Sequence, residues 1–306
     1  MSNQIITDNY YFKSGQPWAD IRAFGADPAS PSNEVPIQQA IDYMAATYNG
    51  GVVLMPPQIF GVTGGVALKK GVRLVGSGVR STYLSGFTTN VNTLTFDSSC
   101  VRGCSVENMS IQGYYNPNTS LVTSNAIVVS QNIPAKILHV EAFYGAAALY
   151  TQGIDGHCFD SWFNGCVDSV VSNGANWYNR SIFNGNGSFA SQRYGFWQGI
   201  GYAGATSQEN HFTLCDFSGN FVNSILLQNP YTATPSINIF NGCITSAPVS
   251  VLNNYFASFS GHEFGSPTFA LGAAGGDVSI VGSLGFLTTL NLPDPRFHKA
   301  GNVNIN

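Results

Sequence analysis

Four segments near the N-terminus decide the fold: Ala19-Asp20-Ile21-Arg22-Ala23-Phe24-Gly25-Ala26, the run from Ile37 to Tyr48, Asn49-Gly50-Gly51-Val52-Val53-Leu54-Met55-Pro56-Pro57, and Gly71-Val72-Arg73-Leu74-Val75-Gly76-Ser77-Gly78. From Asp20 to Gly25 the first alternates as a short strand does. Asp27 to Asn33 is a Pro/Ser loop, and Ser32-Asn33-Glu34-Val35-Pro36 supplies an N-cap region with proline in the first turn. Ile37, Ala40, Ile41, Met44 and Ala45 then recur at the spacing of one buried helix face. Asn49-Gly50-Gly51 ends that helix. Beyond Gly51 the helical period disappears and short β-rich runs begin.

In this order the segments resemble the start of a right-handed parallel β-helix of the pectate-lyase-like superfamily, which includes pectate lyases, polygalacturonases and many phage tailspikes. The resemblance covers the N-terminal quarter, and rhythm carries it further. It implies an all-β solenoid with a short N-terminal capping α-helix. A parallel solenoid has an open apolar end, and an amphipathic helix leading straight into strands covers it.

The β-rich runs are Val52–Met55, Val72–Val75, Thr93–Phe96, Cys104–Ile111, Ala126–Val129, Lys136–Phe143, His157–Phe163, Val167–Val171, Asn210–Phe217, Ser236–Phe240, Val249–Leu252 and Val278–Val281, punctuated by Gly, Asn and Ser. A weak repeat aligns Val140, Cys166, Cys215 and Cys243, with steps of 26, 49 and 28 residues. These steps fit coils of roughly 25 residues stacked about 4.8 Å apart, with Cys166, Cys215 and Cys243 as an inward column. A β-sandwich explains neither the helix before Gly-Gly-Val-Val nor this period, and the consensus of leucine-rich repeats is absent. The chain divides into an N-terminal arm with exposed aromatics (1–18), a capping strand and helix (19–51), a β-helix body (52–290) and an extended tail (291–306). In the tail, Pro293-Asp294-Pro295-Arg296 is expected to leave the ladder.

Charged residues are 9% of the 306 residues, against about 25% in an ordinary soluble domain. The net charge is −4, and from 103 to 290 the basic residues are only Lys136, Arg180 and Arg193. No basic stripe suits nucleic acid, and no apolar run is long enough for membrane insertion. Residues 1–18 show no basic-then-apolar leader. The six cysteines fit no zinc spacing, and they read as small interior residues. His139, His157, His211, His262 and His298 are too dispersed for a metal triad, so neither metal nor cofactor is expected.

No catalytic motif of the superfamily is intact; Asp155-Gly156-His157 is a faint echo of the Gly-His-Gly motif of its hydrolases. Hydrolysis of a glycosidic bond needs two carboxyls, about 5–5.5 Å apart for retention or about 6.5–9.5 Å for inversion, and stacked coils supply such distances. Asp160, Asp168, Glu209 and Asp216 are the candidate acids, two or three of them forming the pair. Trp162, Trp177, Tyr178 and Trp197, with Arg180, are the candidate sugar contacts, since pyranose rings stack on aromatic faces. The segment Asn173–Gly204, with Tyr194, Tyr202, Gln192 and Gln198, reads as a loop walling a groove. The resemblance to the tailspike branch implies a polysaccharide-degrading enzyme, hydrolase before lyase, acting on capsular, exo- or cell-wall glycan. It also implies a homotrimer located outside the cell or on a virion tail. The alternative is a carbohydrate-binding or structural β-helix without catalysis.

Overall fold

The computed structural model describes residues 17–101, 103–115, 124–152, 154–165, 167–172, 174–184, 193–198, 209–219, 221–228, 236–253, 255–266, 268–274, 277–287, 297–300 and 303–305. It is a right-handed parallel β-helix in which the chain winds repeatedly past three faces, A, B and C. Face A holds, among others, Gly51–Met55, Val72–Gly76, Ile154–Phe159, Ala175–Asn179, Glu209–Thr213, Ser236–Asn241 and Tyr255–Ser260. Face B holds Tyr83–Gly86, Trp162–Asn164, Ile182–Phe183, Asp216–Phe217 and Ile244–Thr245. The long strands Ser105–Gln112 and Lys136–Phe143 bend around the A/B corner, so among the described residues A and B form one continuous sheet of 21 strands. Face C is a separate sheet with nine described strands, from Val66–Leu68 to Phe269–Ala274. Among the described residues every pairing between strands is parallel, as a solenoid requires.

The A/B corner is a column of residues in the left-handed region. Asn108, His139, Asp160, Arg180 and Leu214 have φ between 47° and 53°, followed by Gly242, Gly261 and Gly282 at 57° to 63°. A non-glycine residue pays a conformational cost there. Backbone hydrogen bonds between rungs offset it: Asp160 N–H donates to Asn179 O (3.0 Å), Arg180 N–H to Thr213 O (2.9 Å) and Leu214 N–H to Asn241 O (2.9 Å).

Register makes the interior. On face A, Ile137, Cys158, Tyr178, Phe212, Phe240 and Phe259 lie opposite one another in sequence, all within 4% exposure. Tyr178, Phe212, Phe240 and Phe259 stack with centroids 4.9, 4.6 and 4.7 Å apart and planes within 6°. On face B, Phe163, Phe183 and Phe217 continue the core. Just past the corner, Ser161, Ser181, Cys215, Cys243, His262 and Ser283 are all buried and bond to neighbouring backbone or side chains.

The cap is the helix Glu34–Tyr48, which buries Ile37, Ala40, Ile41 and Met44 and ends at Asn49 with φ 56°. Gly50 follows because a Cβ there would meet Gly71 O at 2.5 Å. Asn33 does not cap the helix with its side chain. It accepts instead from Asp27 N–H and donates to Ser30 O and Gly61 O, tying the loop to the first coil.

The structure departs from the sequence expectations in four places. The strand expected at Asp20–Gly25 is Trp18–Asp20 followed by a 3-10 turn, because Asp20 accepts from Arg22 N–H and caps it. The runs His157–Phe163 and Asn210–Phe217 each break at the corner residue, Asp160 or Leu214. The repeat that aligned Cys166 with Cys215 slips by one corner. Phe163 pairs with Ala142 and Phe183 on face B, whereas Phe212 pairs with Tyr178 on face A. Cys166 itself lies outside the described residues; Cys215 and Cys243 do stack, with Cys215 N–H 3.4 Å from the Cys243 sulfur. The expected free tail instead adds a rung, Phe297–Ala300 pairing with Val278–Val281 and Val303–Ile305 with Leu284–Leu287. The arm, residues 1–16, lies outside the described residues, as do 288–296.

Two outcomes follow from this core. Phe240→Ala, which removes a ring from the middle of the stack, is expected to cost about 3–5 kcal/mol in denaturant unfolding. His262 is enclosed by Phe259 and Phe264, and burial pushes its pKa down to about 3. The unfolded chain takes up that proton near pH 6.5. The stability His262 contributes is therefore complete above about pH 6.5 and declines as the pH falls toward about 3. His262→Ser, the residue of the next rung at Ser283, is expected to flatten this dependence in unfolding curves at pH 7 and pH 4.5.

Candidate functional site

Alternation along the face A strands sends every second residue outward. Lys136, His157, Trp177 and His211 are successive partners in one outward column. His157 and Trp177 stack at 5.3 Å and 20°, Trp177 and His211 at 5.5 Å and 7°. Rings stacked from rung to rung lie across the coil axis, so they turn edges, not faces, to the solvent. Glu209 Oε1 lies 2.7 Å from His211 Nε2 and orients that imidazole. Burial, then the charge of Lys136, pushes the His157 pKa down, while Asp155 opposes them.

The corner beside this column carries charge. Arg180 donates from Nε and Nη2 to the two oxygens of Asp160, both at 2.6 Å, and His139 Nε2 is 3.2 Å from the same carboxylate. The guanidinium holds the Asp160 carboxyl below the usual carboxylate range. On face B the outward column runs Glu141, Trp162, Ile182, Asp216 and Ile244. Arg80 bonds Glu141 and lies over the Trp162 ring at 5.1 Å. Asp216 Oδ1 is buried without a hydrogen-bond partner.

The four candidate acids therefore sit apart. Asp160 is on the corner, Glu209 on face A, Asp216 on face B and Asp168 at the start of the face C strand Asp168–Ser172. Asp168 is 4% exposed, and Arg193 Nη2 meets its Oδ2 at 2.8 Å. Burial pushes its pKa up, and the arginine works against that. Asp168 thus belongs to a structural ion pair far from the other three around the coil.

The candidate sugar contacts also need correction. Tyr178 is an interior residue, 1% exposed, and is closed to a glycan because its parity on the strand is inward. Trp177 has both indole faces covered by imidazoles, which leaves only its edge for a ligand. Trp162 has a guanidinium over one face, and so has Trp197, with Arg193 at 5.3 Å. Arg180 is exposed but committed to Asp160. The stretch expected as a loop from Asn173 to Gly204 contains the strands Ala175–Asn179, Ile182–Phe183 and Tyr194–Gln198. Residues 185–192 and 199–208, including Gln192 and Tyr202, lie outside the described residues. Sequence reasoning passed over Lys136, His157 and His211. The clue was there in the coil repeat, but only correct register brings these residues into one column. Among the described residues, no group of three His, Cys, Asp or Glu side chains is placed to hold a metal ion.

Solved structures share this architecture. The Dettilon tailspike protein (gp208) matches with a TM-score of 0.70 at 13% identity, over 98% of this chain and 70% of that one. The shared fold is the right-handed parallel β-helix. Tailspike gp49 of the Acinetobacter baumannii bacteriophage Fri1, a capsular polysaccharide depolymerase, matches at 0.61 and 12% identity, over 89% of this chain and 53% of that one. A mutant tailspike of E. coli bacteriophage HK620 in complex with a hexasaccharide matches at 0.56 and 13%, over 93% and 62%. The chain thus spans little more than half to about two thirds of the length of these tailspikes. No protein-family model matches the sequence, and no curated protein does.

If Arg180 is what keeps Asp160 ionised, Arg180→Gln is expected to move the Asp160 pKa up toward the ordinary carboxylate range. Carboxyl NMR titration reads this directly, and an unchanged Asp160 titration contradicts it.

Proposed function

We propose that the protein binds a long polysaccharide along the outside of the coil and cleaves it by hydrolysis. Solved proteins of the same fold include a capsular polysaccharide depolymerase and a hexasaccharide complex. One observation carries the choice of residues: Asp160 and the Asp216 position flank the A/B corner two rungs apart, through the register Trp162, Ile182, Asp216. Two rungs, together with the two-residue step from Asp160 to Trp162, separate the backbones by about 11–12 Å. Carboxyls leaning together across that gap fit the inverting range of about 6.5–9.5 Å. Asp160, kept ionised by Arg180, suits the base that activates water, and Asp216 is left as the acid. Glu209 stands five residues before the corner residue Leu214, about 16 Å along the strand. Few basic residues favour hydrolysis over elimination, since a lyase needs a strong base beside a neutralised carboxylate.

The same reading places the protein outside the cell or on a virion tail, as a homotrimer. On face B, Ile244 and Leu284 are 43% and 52% exposed with Glu263 between them in the register, and a second copy meeting the coil there lies on the C-terminal side of the Asp216 rung. The alternative, a glycan-binding β-helix without catalysis, draws support from the bidentate hold of Arg180 on Asp160.

The test is release of reducing ends from a panel of capsular, exo- and cell-wall polysaccharides. Asp160→Asn and Asp216→Asn are each expected to lower it by about 100-fold or more, with Glu209→Gln close to wild type. Full activity in both Asn variants contradicts the assignment. Absorbance from an unsaturated uronide indicates a lyase instead, and binding without cleavage supports the alternative.

A further inference from the structure

The outward column of face A has a chemistry of its own. Each described arginine is paired with an acid: Arg22 with Asp20, Arg73 with Glu107, Arg80 with Glu141, Arg180 with Asp160 and Arg193 with Asp168. Lys136 differs. It is exposed, no acid among the described residues pairs with it, and it stands mid-face one rung from His157. Below it the rings of His157, Trp177 and His211 follow at one-rung intervals. Their mutual stacking hides the π faces and turns ring edges outward, where imidazole and indole carry their N–H groups. The column therefore offers an ammonium followed by the ring edges of an imidazole and an indole, about 4.8 Å apart from rung to rung, with a second imidazole, bonded to Glu209, closing the row. Glu209 faces it only at the far end, where it bonds His211, and Asp155 lies beside His157.

An exposed ammonium without an acid partner, beside imidazole and indole N–H edges, suits an anionic ligand better than the apolar side of a neutral sugar. A single full cation over four rungs suits a glycan with isolated charges rather than a dense polyanion. We infer that Lys136, His157, Trp177 and His211 form a subsite for an acidic sugar unit, its carboxylate on Lys136 and the adjoining ring edges. This rests on the glycan-binding part of the proposal above and names the substrate class: a polysaccharide with a carboxylate in its repeating unit.

The experiment is calorimetric titration of the intact chain with hexasaccharides of hyaluronan, galacturonate and sialic acid, each beside its carboxyl-reduced counterpart. At least one acidic probe is expected to bind ten-fold or more tightly than its reduced form. Lys136→Met is expected to remove that difference while leaving the reduced form's affinity unchanged. Trp177→Phe keeps a ring but loses the indole N–H, and it is expected to weaken the acidic probe as well. Equal affinity for acidic and reduced forms in the wild type overturns the subsite but leaves glycan binding standing. No binding of any hexasaccharide overturns both. A Trp177→Phe variant that binds the acidic probe as wild type does overturns the edge-donor geometry.

Discussion

The parallel hydrogen-bond ladder between successive coils governs everything else in this molecule. It fixes the rung spacing at about 4.8 Å, so each position meets its equivalent one coil away. Inside, that spacing sets the interval between rings, and Tyr178, Phe212, Phe240 and Phe259 stack with centroids 4.6–4.9 Å apart. At the corner it repeats a left-handed residue in coil after coil, with its cost offset by the same ladder. Outside, it builds the His157–Trp177–His211 row. Core and candidate site are two sides of the same strands, separated only by alternation.

The low charge content then shapes the surface. With so few ionic groups, Arg73, Arg80, Arg180 and Arg193 each find an acid one or two rungs away, and the pairs are structural in character. Asp168 with Arg193 shows the limiting case, a carboxylate almost removed from water and kept there by one guanidinium. Asp160 differs because it is only partly buried and stands on the outer corner. That position, rather than its charge partner, makes it available to a substrate.

Much of the fold was legible in the sequence. The helix Glu34–Tyr48 announced itself by the spacing of Ile37, Ala40, Ile41 and Met44, and Lys136–Phe143 and Val278–Val281 match the strands as read. Coil register was not legible. Phe163-Asn164-Gly165-Cys166 and Phe212-Thr213-Leu214-Cys215 look alike because each is an aromatic strand end followed by a turn, and a turn signature does not reveal which corner it makes. The site suffered from the same gap. Adjacent in sequence, Trp177 and Tyr178 looked equivalent, yet alternation sends one outward and the other into the core. Asp168 sits near Asp160 in the chain but on another face. Phe297–Ala300 rejoins the ladder after two prolines, because a break in sequence does not prevent later pairing.

The most direct measurement is a crystal structure of the intact chain with a bound oligosaccharide. This account predicts sugar units running parallel to the coil axis along face A and its corner, with Lys136, His157 and the Trp177 edge in contact and Asp160 and Asp216 flanking a glycosidic bond. Sugar bound on face C, against the capping helix, or across the coil axis away from that corner would contradict it.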